Sequence, residues 1–93
     1  MSSPQIRDLE FDDENEEKLA RRDISPEDVL DILAQPHILV RNRRHRRGAY
    51  KIVGRDAGGR ILTVILERTR IRNTWRPVTG WASSKAEKRM LSD

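Results

Sequence analysis

The stretch RILTVILE, residues 60–67, constrains the fold more than any other. It is almost continuously apolar and rich in β-branched residues. That is the composition of a central strand covered on both faces, not of a strand with one face in water. The rest of the chain must supply the cover. Before residue 36 the apolar residues follow a helical period, and after it they fall into short runs of strand type.

SPEDVLDILA (25–34) predicts a helix. Ser25 caps it, Pro26 takes the first helical position, and Asp28 completes a box-like pattern. Val29, Ile32 and Leu33 form its apolar stripe, and Pro36 stops it. DDENEEKLARR (12–22) predicts a more polar helix with Asp12 or Asp13 as N-cap, acids early and bases late. Strands are expected at 37–40, 49–54, 60–67 and 75–81. DAGG (56–59) is a turn, TRIRNT (69–74) a polar connection, and 83–91 a helix with Ser83 or Ser84 as cap and Glu87 at a capping-box position relative to Ser84. Pro77 requires an edge or a bulge in the last strand. The expected architecture is one α+β domain over 1–93, with 1–8 and 92–93 frayed. It has two N-terminal helices, a four-stranded antiparallel sheet and a C-terminal helix, in the order α-α-β-β-β-β-α.

Charge is divided along the chain. Residues 1–36 hold 11 acidic and 4 basic residues, and residues 37–93 hold 15 basic and 4 acidic. A one-sided basic field attracts nucleic acid or another polyanion. There is no cysteine, which excludes disulfides and thiolate metal sites. No HxxxH or calcium-loop spacing occurs, so no metal and no cofactor are expected. G-x-S-x-G and P-loop patterns are absent. No apolar run is long enough to span a membrane, and Met1-Ser2-Ser3-Pro4 does not open a secretory signal. The expected location is the cytoplasm.

RNRRHRRG (41–48) places Arg41, Arg43, Arg44, His45, Arg46 and Arg47 between the first two expected strands. Guanidinium groups in one loop can follow a phosphate backbone; the alternative is a solvated hairpin loop. His45 among cations favours its neutral form and could act as a general base, or it is one more polar loop residue. His37 is expected to be structural. Arg76, on a strand between Trp75 and Pro77, could stabilise a phosphoryl transition state or face water at an edge. Tyr50, Trp75 and Trp81 could stack on RNA bases or fill the core; Trp75 is expected mostly buried. Lys85, Lys88 and Arg89 form a basic stripe suited to phosphate contact, or an ordinary exposed helix face.

The order of elements, with LEFDDEN…LARRDIS, YKIVGRDAGGRILTVILE and RPVTGWASSKAEKR, resembles the BrnT-like toxins of bacterial type II toxin–antitoxin systems, within the RelE-like fold. The likeness covers most of residues 9–91 and rests on the ordered combination. It implies a metal-independent endoribonuclease that cleaves RNA, blocks translation and is neutralised by a cognate antitoxin. The RNA 2′-hydroxyl would be the nucleophile. On this resemblance Arg76 matches the arginine that begins the last-strand motif, with His45, Arg44, Arg47 and Tyr50 as acid–base or positioning residues. Arg41, Arg43, Arg46, Trp81, Lys85, Lys88 and Arg89 would hold RNA. Three positions depart from the family pattern: Trp81 where a second arginine is usual, Ala49 where a basic residue precedes the aromatic, and Arg22 near a common histidine. Rival expectations are a non-enzymatic nucleic-acid-binding module and a protein-interaction domain. Homo-oligomerisation is left open.

Overall fold

The computed structural model describes residues 5–42 and 49–92. The elements are β1 (Asp8–Leu9), α1 (Asp13–Ala20), α2 (Pro26–Ala34), β2 (His37–Arg41), β3 (Tyr50–Arg55), β4 (Ile61–Arg68), β5 (Thr74–Ala82) and α3 (Lys85–Ser92). The sheet runs β1-β5-β4-β3-β2. β2 to β5 form an antiparallel meander, and β1 adds to β5 in parallel.

The expected four-stranded antiparallel sheet is therefore corrected to a five-stranded mixed sheet, and a strand precedes the two helices. β1 is two residues long, too short for any period to mark it. Tertiary hydrogen bonds create it: the Arg7 amide donates to the Asn73 carbonyl (2.8 Å) and the Glu10 amide to the Trp75 carbonyl (2.8 Å). The Trp75 indole nitrogen also donates to the Gln5 carbonyl at 2.9 Å, tying the start of the described chain to β5.

β4 is central and buried over Leu62–Leu66. On one face, Leu62, Val64 and Leu66 join Ile52 and Trp75 under Leu19, Ile24, Val29 and Ile32 from α1, α2 and their junction. Gly80 admits the close approach of layers here. A Cβ at that position would lie 2.9 Å from the Thr63 carbonyl oxygen and 3.1 Å from Ile24 Cδ1. On the other face, α3 returns across β3 and β2.

Both N-terminal helices start with reciprocal boxes. Asp12 Oδ1 accepts from the Asn15 amide and Asn15 Oδ1 from the Asp12 amide, each at 2.8 Å. Ser25 and Asp28 exchange the same pair of bonds. Opposite Ile65 and Leu66 the register of β5 slips, passing from Thr79 to Pro77. The bulge sits beside the proline that cannot donate to a ladder.

Candidate nucleic-acid interface

The strand register fixes which residues share an end of the sheet. Arg41 pairs with Tyr50, Tyr50 with Leu66, Arg68 with Trp75, and Asp8 with Thr74. The Asn42 amide closes the β2–β3 stem on the Ala49 carbonyl at 3.0 Å. The ends of β2 and β4 and the starts of β3 and β5 thus lie together, along with the β4–β5 connection, Thr69–Asn73. Arg43, Arg44, His45, Arg46 and Arg47 lie outside the described residues.

The β4–β5 connection is built tightly. Thr69 Oγ1 lies 2.7 Å from the Thr74 carbonyl, to which it donates, and accepts from the Ile71 amide at 3.1 Å. The Thr74 amide donates to the Ile71 carbonyl at 3.1 Å, and Asn73 takes φ 64°, a value asparagine tolerates. The result is a braced turn with Arg70, Ile71 and Arg72 exposed on it.

Arg68 is mounted differently. Its guanidinium carbon lies 5.1 Å from the centre of the Trp75 ring and 5.9 Å from that of Tyr50. The two rings meet edge to face, 5.5 Å apart at 89°. Trp75 is buried, as expected, and Tyr50 is half-buried. Both rings orient an exposed cation by cation–π contact.

The basic residues differ in how they are held, and Arg7, Arg22, Arg55, Lys85, Lys88 and Arg89 are exposed without an ion pair to a described residue. Arg60 is fixed among aspartates, its Nε donating to Asp56 Oδ2 at 2.7 Å and its Nη2 to Asp28 Oδ2 at 3.1 Å. Lys18 and Arg21 pair along α1 with Glu14 and Glu17. Lys51 pairs with Glu87 at 3.1 Å. Arg41, Arg68, Arg70 and Arg72 make no ion pair with a described residue and are all exposed. The acids on the strand ends beside them are Asp8 and Glu67, and Glu67 is engaged by Arg76.

Arg76 is held on two sides. Its Nε donates to Asp12 Oδ2 at 2.9 Å, its Nη2 to Asp12 Oδ1 at 3.2 Å, and its Nη1 to Glu67 Oε1 at 2.8 Å. The Glu67 bond, chiefly, raises the Arg76 pKa above its ordinary value. The Asn15 amide, ahead of Arg76, pulls the Asp12 carboxyl below its usual range. Glu67 Oε2 makes no hydrogen bond to a described residue.

Trp81 is half-buried, and its indole nitrogen donates to Glu87 Oε1 at 3.1 Å. That carboxylate also accepts from the Ser84 amide at 2.8 Å and from Lys51 Nζ. Burial opposes its charge, but these donors prevail and lower its pKa to about 2. Thr63 and Ser83 share a buried hydrogen bond of 2.8 Å beside it. Lys85, Lys88 and Arg89 are exposed on α3. Lys88 lines a cavity of about 320 Å³ with Arg22, Gly59, Arg60, Ile61, Leu62 and Ala82, at the opposite end of the sheet. His37 directs Nδ1 at the Gln35 carbonyl, 2.8 Å away.

Of the sequence candidates, the structure brings Arg41 and Tyr50 to the arginine-bearing end and Arg76 to its flank. Trp81 and the α3 cations stand apart from it. Sequence reasoning missed Arg70 and Arg72, because TRIRNT reads only as a polar connection, and Arg68, which falls between that connection and the strand expected at 60–67. The available signal is three arginines at alternate positions with no acid among them. Asp12 and Glu67 were missed as partners of Arg76, since nothing local pairs residues so far apart.

No family model matches the chain, and neither the characterised proteins nor the solved structures give a match. Among the described residues no helix is long and apolar enough to cross a membrane, and no three His, Asp or Glu side chains are grouped to hold a metal ion.

Proposed function

We infer that this chain binds RNA through the arginine-bearing end of its sheet. Its resemblance to BrnT-like toxins supports a further step, metal-independent cleavage in the cytoplasm under the control of an antitoxin. The observation that carries the binding reading is the sorting of the cations. Arg60 and Arg76 are held by carboxylates, whereas Arg41, Arg68, Arg70 and Arg72 are exposed together at one end of the sheet without described ion pairs; Arg22, Arg55, Lys85, Lys88 and Arg89 are likewise exposed and without one, but elsewhere, so it is the grouping that distinguishes this end. Unpaired guanidinium groups on braced backbone suit phosphate oxygens, which they can hold bidentately. Tyr50 and Trp75 serve here to mount Arg68.

For cleavage, the supporting geometry is the Glu67–Arg76 pair on the flank of that end. A carboxylate could accept the proton of a 2′-hydroxyl as its oxygen attacks the adjacent phosphorus, the P–O5′ bond breaks, and the 5′-oxygen takes a proton from solvent water. The products would be a 2′,3′-cyclic phosphate and a free 5′-hydroxyl. Arg76, held in place, would meet the growing charge on the phosphoryl oxygens with its two remaining N–H groups. A second reading, binding without cleavage, is favoured by that same arrangement. Asp12 and Glu67 together outweigh the single charge of Arg76, so the flank itself does not attract phosphate.

The test is a labelled single-stranded RNA incubated with the protein in EDTA, beside Glu67→Gln and Arg76→Ala. Fragments from the wild type alone support the ribonuclease. A salt-sensitive mobility shift without fragments supports the binding module. Neither fragments nor shift overturns both readings.

A further inference from the structure

Ile71 is 65% exposed, the most exposed large apolar side chain among the described residues. Single exposed apolar residues are ordinary. This one differs in its mounting and its neighbours. It stands on the turn braced by the Thr69 hydroxyl, the Thr74 amide and the left-handed Asn73. The turn is in its own right tied to β1 through the Asp8 amide, and to Arg7 just before it, both of which donate to the Asn73 carbonyl. Arg70 and Arg72 flank it in sequence, both exposed and neither ion-paired with a described residue. A β-branched side chain has few rotamers, so it projects from this turn as a stiff body.

A stiff apolar side chain between two phosphate-seeking cations has the layout of a wedge for a base stack. Minor-groove proteins that part stacked base steps insert Ile, Leu, Phe or Met between them, and cations on either side of such a wedge can contact phosphates. A flexible mount would lose the insertion energy to ordering, and this one is already ordered. Resting on the RNA-binding reading above, we propose that Ile71 inserts between adjacent bases of the bound strand, with Arg70 and Arg72 on the phosphates to either side. The ligand class is then a strand with a stacked step that can open. A protein pocket could also take an exposed isoleucine, but the cations on both sides and Arg68 nearby favour a polyanion.

The probe is a single-stranded RNA oligonucleotide with 2-aminopurine inside a purine run. Its fluorescence is quenched by stacking and rises when the step opens. The wild type is expected to bind in a salt-dependent manner and to raise the fluorescence. Ile71→Ala, at an exposed site that leaves the core untouched, is expected to bind about tenfold more weakly with the same salt slope and no rise. Ile71→Val, which keeps the β-branch, should restore the rise. An unchanged rise and affinity in Ile71→Ala overturns the wedge alone and leaves Ile71 to a protein contact. Absence of binding by the wild type overturns the RNA-binding reading, and the wedge with it.

Discussion

Arg76 on β5 and Asp12 at the cap of α1 are joined by two hydrogen bonds, of 2.9 and 3.2 Å, across 64 residues of chain. Asp12 therefore carries two duties, closing the first turn of α1 and neutralising Arg76. Asp12→Ala should lower stability chiefly through the lost cap, with little more from the partly exposed ion pair. Urea unfolding of the wild type, both single variants and the Asp12→Ala/Arg76→Ala double variant measures the coupling, expected to be favourable and small. A coupling near zero would show that the pair contributes geometry and no stability.

Glu87 sets an acid limit on the anchoring of α3. Its folded pKa is about 2 against an ordinary 4.5, so its charged form is favoured by folding. The stabilisation, about 3 kcal/mol from that difference, is fully present above the ordinary value. It fades as pH falls from about 4.5 towards 2. Urea midpoints across that window should fall in the wild type and be flatter in Glu87→Gln, which is itself less stable at pH 7. Equal slopes for the two proteins would refute the assignment.

Gly80→Ala tests the close approach of β5 to β4 and to Ile24, whose Cδ1 would lie 3.1 Å from the new methyl. The new methyl would lie 2.9 Å from the Thr63 carbonyl oxygen, which is backbone and cannot swing aside, and 3.2 Å from Val64 Cγ2. A loss of about 1–3 kcal/mol is expected. In a domain of this size each kcal/mol lowers the melting temperature by roughly 4–8 °C, so thermal unfolding suffices to read it.

The parts of the fold that were legible have local causes. Ser25 with Asp28, and Ser84 with Glu87, mark their helices because a capping box closes within four residues. RILTVILE marks β4 because both faces of that strand are covered. Long-range causes left no such trace. β1 exists because Arg7 and Glu10 find carbonyls on the segment that leads into β5 and on β5 itself. The fate of Arg76 was open in the sequence because its partners lie 9 and 64 residues away. At the candidate interface, Arg41 and Tyr50 were named from the chain, but only the register of β3, β4 and β5 shows that Arg68 and its loop stand beside them.

Salt dependence should separate the cations of that end from those elsewhere. Each phosphate contact to a single strand steepens the fall of log affinity with log salt by about 0.7. Arg70→Ala and Arg72→Ala should each reduce the slope by about that amount. Arg60→Ala, which removes a cation already held by Asp56 and Asp28, should leave it unchanged. A slope that falls equally in all three would mean that net charge alone governs binding.

Arg68 gives the sharpest test because a charge-preserving change breaks its mounting. The planar guanidinium is held by the rings of Tyr50 and Trp75, and lysine cannot reproduce that contact. If Arg68 acted only as a positive charge near RNA, Arg68→Lys would bind as the wild type does. If it acts as an oriented fork, Arg68→Lys should lose about 1 kcal/mol of binding, roughly fivefold in affinity, with the salt slope kept. Arg68→Ala should lose both affinity and slope. The side chain is exposed, so thermal unfolding of either variant should stay within about 1 kcal/mol of the wild type. Filter binding of a labelled single-stranded RNA across a salt series measures all three proteins, and equal affinity for Arg68→Lys and wild type would reduce this end of the sheet to a patch of charge.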